Sequence, residues 1–553
     1  MYRSACAGFA AGLAAVVLLL GFSAAQAATY YVSPKGDDAK DGQSQATAWK
    51  TCQKVSSAAF QPGDIVLFAR GGEWRERLSA SSSGAAGNPI TYDAYGDGAK
   101  PRFLGSELLE NAKFIALGND NYAYNIAAKA ESALRDHVFI QSAWINGVLI
   151  ATVPGSNPLT DGKAYTACTR GNEIFSNRKN HLVFRNLVAD ETAGQISDGT
   201  VGGYGIRIEG STDVLLENCE AYRCGRHHIA VINSTGFVGR HLHAEYVQPA
   251  TPGGNSFYCS YADQNAPVAS CTSVWDDISA DHMEAGTPGH GENTCVFFTS
   301  HGDHQGLITM LNVVAQTKVS IMSGPAIVRG GLLKARGSIE NWGPGVLIEG
   351  VTLTDSSAID QWAKDGIIQN CVAYLTPEGG GPTGYGTAIV CRAKATGNII
   401  RFNTLVTRNF SCLALADHNL NTQWYGNIML ADGKTVDKGA ALGKGDAVNV
   451  DYNFYGPKAT FAGATLEAWK AQGFDAHSLT GDPKLADPAA HHFALQPDSP
   501  CLGAAKVAAD LVPAKDFSGV SRLQPPSMGA FEKGSPPQAA TQGPSAAPPA
   551  SKP

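Results

Sequence analysis

Between Asp276 and His304 the sequence reads DDISADHMEAGTPGHGENTCVFFTSHGDH, its densest run of titratable side chains. Four of the fourteen histidines, His282, His290, His301 and His304, fall in this run, where uniform scatter would place fewer than one. Asp276, Asp277, Asp281, Glu284, Glu292 and Asp303 accompany them, and Lys318, Arg329, Lys334 and Arg336 follow. Imidazoles beside carboxylates are the equipment of general acid–base catalysis, because local environment brings either group to titrate near neutral pH. His282-x-Glu284 and His301-x-Asp303 also have the i, i+2 spacing that sets two ligands on one strand face. No recognised metal signature surrounds them, so the metal is unassigned. Three readings stay open: a polar loop of hydrogen-bonded histidines, a structural metal site, and a catalytic cleft built from His282, Glu284, His290, His301, Asp303, His304, Lys318 and Arg336.

A second group lies in AYRCGRHHIAV, where Arg223, Arg226, His227 and His228 end one strand and begin the next. Strand alternation sends one of the two adjacent histidines inward and the other outward. The expected ligand contacts are Arg226, His228, Trp275 and Arg329. Trp275, Trp342 and Trp362 are expected to be exposed, where an indole can stack on a ring of the ligand.

The elements that must position these groups are short and repeated. VLLENCEA (214–221), ITMLNVVA (308–315), VLIEGVTL (346–353), GIIQNCVA (366–373), IIRFNTLV (399–406) and TQWYGNIM (422–429) share one strand phrase with Asn or Gly near its fifth position. FVGRHLHA (237–244) matches with His241 there. Asn218 to His241 is 23 residues, Gly350 to Asn370 20, Asn370 to Asn403 33 and Asn403 to Gly426 23, with longer gaps elsewhere read as loops leaving the stack. That period, punctuated by Gly and Asn, is one turn of a parallel β-helix, whose coils bury their inner faces only by stacking. Asn suits the bends because it tolerates left-handed backbone and hydrogen-bonds locally. Equivalent positions on adjacent coils then stack about 4.8 Å apart, so the 276–304 cluster meets basic residues one or two coils later. Cys219 and Cys371 hold matching places and read as stacked core residues.

Composition agrees. Gly and Pro number 62 and 28, and charged residues make up 16%. A coiled coil needs far more charge and leucine, and wholesale disorder far fewer aromatic residues. A net charge of −7 without a basic stretch excludes nucleic acid as the expected partner. The first 27 residues read as a secretory signal: Arg3, an apolar run from Ala10 to Phe22, and Ala25-Gln26-Ala27 for cleavage. A secreted or periplasmic bacterial location follows, with no membrane span after signal removal. Eleven cysteines then remain, an odd number. Cys259 and Cys271 flank a polar, turn-rich stretch and are expected to close a loop as a disulfide.

YYVSPKGDDAKDGQSQATAWKTCQKV (30–55), QPGDIVLF (61–68) and GNPITYDAYGDGAKP (87–101) resemble the opening of exported right-handed parallel β-helix proteins of the pectin-lyase-like superfamily. DYNFYG (451–456), LEAWKAQGFDAHSLTGDPKL (466–485), FALQPDSPCLGAA (493–505) and MGAFE (528–532) resemble their closing region. The resemblance spans roughly residues 29–533. It implies an all-β solenoid with an N-terminal cap, including a short helix over Thr51–Phe60. The expected division is a signal over 1–27, one β-helix domain over 28–533 and a disordered Pro/Ala-rich tail over 534–553. Within the domain, cap and first coils cover about 28–135, central coils about 136–430 and a closing region about 431–533.

The resemblance further implies a polysaccharide substrate, most plausibly acidic, cut by β-elimination. That reaction neutralises a carboxylate, removes the C5 proton and protonates the leaving oxygen. Arg or Ca²⁺ serves the first need, and His, Lys or Arg the second. Gly289-His290-Gly291 and Asp276-Asp277 resemble elements of polygalacturonases, but that family's Asn-Thr-Asp and Arg-Ile-Lys elements are missing. A glycoside hydrolase, a C5-epimerase and a non-catalytic glycan-binding β-helix are the alternatives. Oligomeric state is not legible.

Overall fold

The structure is a computed structural model that describes residues 27–194, 203–246, 256–262, 271–281, 295–299, 306–334, 337–355, 357–376, 386–393, 395–415, 419–432, 435–438, 447–461 and 464–535. It is a parallel β-helix. A 26-stranded sheet and a 14-stranded sheet run the length of the molecule, each strand pairing with its counterpart on the next coil. A typical coil contributes Val214–Glu217 and Glu220–Tyr222 to the large sheet and His227–Ile232 to the other.

The bend inside the large sheet is made by left-handed residues. Asn186, Asn218, His241, Asp277, Asn312, Gly350, Asn370, Phe402 and Gly426 all have φ between 52° and 68°. Asn and Asp pay least for that conformation among residues with a Cβ. The neighbouring amides also bond coil to coil, with Asn218 Nδ2 donating to Asn186 Oδ1 at 2.6 Å. Asn403 was expected at its bend, but Phe402 occupies that place. Asn403 points inward instead, in a ladder where its Nδ2 donates to Asn427 Oδ1 (3.0 Å) and Asn427 Nδ2 donates to Asn453 Oδ1 (3.1 Å). Cys219 and Cys371 sit at the same point of their coils, both buried.

Inward residues form continuous apolar columns. Phe184, Leu216, Gly239, Trp275, Met310, Val328 and Ile348 follow one another in register. Gly239 carries no side chain where the Phe237 and Trp275 rings meet at 4.8 Å. Trp275 is thus a core residue, not an exposed one.

At the start, helix Cys52–Ser57 covers the first coils. Thr51 Oγ1 accepts from the Lys54 N–H at its N-terminus, and Cys52 and Val55 are buried with Trp49 and Phe60. Between strands Arg102–Leu104 and Ile174–Asn177 the chain leaves the solenoid and builds a seven-stranded antiparallel sheet from Ser106 to Cys168. This sheet has its own core around Phe114, Tyr124, Leu149 and Tyr165. At the other end, residues between Leu485 and Phe531 fold back over the outer face of the last coils. They pack on Val372, Phe402, Ile428 and Phe454. Arg522 lies over the Phe402 ring at 4.5 Å, and Gly529 N–H bonds the Gly426 carbonyl.

The cysteines depart from expectation. Ten cysteines among the described residues are free and buried. Cys259 belongs to an outer-face cluster with Tyr204, Ala230 and Ile232, whereas Cys271 belongs to the interior core. The two thiols face opposite sides of the β wall, which is why the expected disulfide does not form. Among the described residues no helix is long and apolar enough to cross a membrane. The expected signal, save Ala27, and the tail beyond Ser535 lie outside the described residues.

Candidate active site

His282, Glu284, His290, His301, Asp303, His304 and Arg336 all lie outside the described residues. Lys318 opens strand Lys318–Ile321 of the smaller sheet, with Nζ 3.1 Å from Glu340 Oε1. Arg329 stands on the other wing of the large sheet, paired with Glu349 at 2.8 Å. The bend at Asn312 and its equivalents separates that wing from the strand carrying Tyr222.

His228 points inward. Its Nε2 donates to the Glu245 and Tyr246 carbonyls at 3.0 and 3.2 Å, and its ring lies against Phe257. Burial lowers its pKa to about 4, so the imidazole is neutral and sealed from substrate. His227 lies on the outer side with Tyr204, since the strand departs from alternation at His228, and it too is buried because the Tyr204 ring stacks on it at 5.2 Å. Arg226 Nε donates to His227 Nε2 at 3.3 Å, and His227 Nδ1 meets both the donating Ser256 N–H at 3.2 Å and Ser256 Oγ at 2.7 Å. Burial, reinforced by the Arg226 charge, lowers the His227 pKa to about 3. Arg226 itself is half-buried at the corner between the sheets. Trp342 and Trp362 stack on each other at 4.1 Å, and Arg392 lies over Trp362.

The described residues that do assemble as a site stand on the outward face of the second wing. The strands Glu220–Tyr222, Phe237–Glu245 and Ser273–Asp281 set Glu220 beside His243 beside Ser279, and Tyr222 beside Glu245. The Tyr222 O–H donates to Glu220 Oε2 at 2.9 Å, and Lys100 Nζ donates to Glu220 Oε1 at 2.6 Å. The Tyr222 and His243 rings meet edge to face with centroids 6.0 Å apart. His243 Nδ1 bonds Ser279 Oγ at 3.0 Å, and its Nε2 lies 3.7 Å from Glu245 Oε2. Burial, and next the negative charge of Glu220, raise the Tyr222 pKa. Tyr222 therefore holds its proton at neutral pH and has one to donate.

Arg223, at the left-handed φ of 46°, closes this strand. Its guanidinium lies 5.7 Å from the Tyr222 ring centroid and grips both oxygens of Asp190. Asp190 is fully buried and also accepts from Arg102. Next to it, Glu191 accepts from Ser106 and Thr166 of the antiparallel sheet and pairs with His137. Its carboxyl is buried, which alone would raise the pKa, but these bonds overcome that and hold it at about 2. Glu191 thus ties the inserted sheet to the solenoid beside the site, while Asp190 joins Arg102 and Arg223 of the solenoid itself.

Tyr222, His243, Glu220 and Glu245 were not singled out from sequence. Arg223 was, and its strand end leads directly to them. Among the described residues no three His, Cys, Asp or Glu side chains gather as a metal site.

No family model matches the chain, and no curated protein matches it. Solved structures do. The complex of XylC with xylose is 10% identical, with a TM-score of 0.51 over 91% of this chain and 98% of that one. The PL6 family alginate lyase AlyGC is 12% identical over 85% of this chain and 58% of its own, with a TM-score of 0.49. A mannuronic acid specific polysaccharide family 6 lyase from human gut microbiota is 12% identical over 82% and 91%, also at 0.49. At these identities the likeness is one of fold, a parallel β-helix.

Proposed function

We propose that the protein is a secreted or periplasmic carbohydrate-active enzyme that cleaves an acidic polysaccharide by β-elimination. Fold alone assigns no reaction. The observation that carries the reading is the Tyr222–His243 pair on a partly open outward face, Tyr222 held protonated and the His243 ring turned with Nε2 toward Glu245.

With Nδ1–H given to Ser279, His243 presents the Nε2 lone pair and removes the C5 proton of a uronate residue. Glu245 then stabilises the imidazolium. The C4–O bond breaks, its electron pair leaves on oxygen, and the C4=C5 double bond forms. Tyr222 gives its proton to that oxygen and is reprotonated through Glu220 and solvent. Arg226, at the adjoining corner, is assigned to the substrate carboxylate, with Ca²⁺ as the alternative neutraliser. His282, Glu284, His290, His301, Asp303 and His304, which lie outside the described residues, stay candidates for the cleft.

Incubation with alginate and polygalacturonate, followed by ultraviolet absorbance of the unsaturated product, tests the reading. Absorbance rises for a lyase, whereas new reducing ends without absorbance would replace it with hydrolysis. One arrangement favours that second reading. Glu220 and Glu245 stand one coil and two residues apart, about 8 Å by strand geometry, a separation that suits an inverting carboxylate pair.

A further inference from the structure

The outward position occupied by Glu220 can be followed through ten coils in register: Val188, Glu220, His243, Ser279, Val314, Leu332, Thr352, Val372, Thr404 and Ile428. All ten point away from the core, yet their exposure is not uniform. Val188 is 3% exposed, and Thr352, Val372, Thr404 and Ile428 are 1, 0, 1 and 0% exposed. The five between them, Glu220 to Leu332, are all partly open.

Each end has an identifiable wall. Before Glu220, Arg102 and Arg223 close over Asp190, and the antiparallel sheet bonds Glu191. Beyond Leu332, the C-terminal segment lies on the column: Ala530 N–H bonds Thr404 Oγ1, Asn370 Nδ2 bonds the Lys515 carbonyl, and His491 meets the Tyr374 ring. The open face is a cleft of five coils, not a groove running off either end of the solenoid.

The acid–base pair is off centre within it. Tyr222 and Glu220 belong to the first open coil and His243 to the second. Four steps of about 4.8 Å separate the first and last open coils, and one pyranose unit of an extended chain advances by roughly one such step. We propose, resting on the lyase reading above, that the cleft holds about five sugar units along the solenoid axis. One or two lie between the scissile bond and the Asp190 wall, and three or more extend toward Leu332. The enzyme is then chain-end acting. It frees mono- or disaccharides, because an interior stretch of polymer cannot pass the wall beside Tyr222.

The test uses the full chain with alginate and polygalacturonate and with their oligomers of two to eight units. Unsaturated mono- and disaccharides are expected from the first time points, with viscosity falling slowly. Binding of the oligomer series to Tyr222→Phe should tighten up to about five units and then level off. Leu332→Trp, at the far end, should weaken a pentamer about tenfold while leaving a trimer unchanged. A broad spread of early product sizes with a rapid viscosity drop would overturn end action and leave the lyase assignment standing. Affinity that keeps rising to eight units would overturn the closed cleft. Absence of both product and binding would remove the cleft assignment itself and this proposal with it.

Discussion

Tyr222 and His243 meet edge to face across one coil, 6.0 Å between ring centroids, and their surroundings give them opposite proton habits. Tyr222 is held protonated by burial and by Glu220. His243 has one nitrogen committed to Ser279 and the other turned toward Glu245. Removing either partner should therefore stop turnover without unfolding the chain. Tyr222→Phe and His243→Gln are each expected to lower kcat by a factor of about 10² to 10⁴, the usual range for one positioned acid or base. Steady-state rates beside thermal melting curves check this, and a variant retaining full kcat would remove that residue from the mechanism.

Calcium is the second question. Lys100 on Glu220 and Arg223 beside the Tyr222 ring supply positive charge without any ion, so turnover in EDTA is expected to stay close to that of the untreated enzyme. A complete loss, reversed by added Ca²⁺ and by no other divalent ion, would transfer the neutralising role to a metal.

Stability should carry the mark of Glu173. This carboxyl is fully buried and its pKa stands at about 7, because burial outweighs the Arg170 and Arg77 charges nearby. The folded state thus binds a proton that the unfolded state has released above about 4.3. Its contribution is full below that value and is lost as pH rises toward 7, by about 3 kcal/mol. His227 and His228 act in the opposite sense. Their folded pKa values of about 3 and 4 lie below the unfolded value, so stability from them is lost as pH falls below about 6.5. Melting temperatures from pH 4.5 to 7.5 for the native chain and Glu173→Gln separate the two. The variant should lose the decline toward neutral pH and keep the acid limb.

Thiol chemistry provides an independent check on the wall that separates Cys259 from Cys271. Both thiols are buried with pKa values raised chiefly by burial. A thiol-specific disulfide reagent should label neither in the folded protein and both after denaturation without reductant. Recovery of a peptide joining the two would contradict the placement.

The fold was legible because its signal is repeated. Asn218, Asn312, Gly350, Asn370 and Gly426 each mark a bend at one position of a phrase, and the left-handed backbone there demands such residues. Phe402 escaped because a bulky residue holds that conformation under Arg522, a contact 120 positions away in sequence. The site was less legible. Tyr222 and His243 look ordinary in their own strands and acquire meaning only when the register stacks them. Alternation sets one of His227 and His228 outward without saying which, and His228, expected to meet the ligand, is the one sealed inside, because the strand departs from strict alternation there. The antiparallel sheet from Ser106 to Cys168 carries no in-phase phrase because its strands pair with one another rather than with the next coil.

The return of the C-terminal segment over Val372, Phe402, Ile428 and Phe454 has a consequence for biogenesis. A ribosome delivers the coils in order, so this apolar stripe stays bare until Met528–Phe531 is synthesised and docks. A chain cut short anywhere before that point keeps a sticky, unfinished flank, the kind of surface that chaperones and proteases inspect. The closing residues thus certify that the solenoid has been completed.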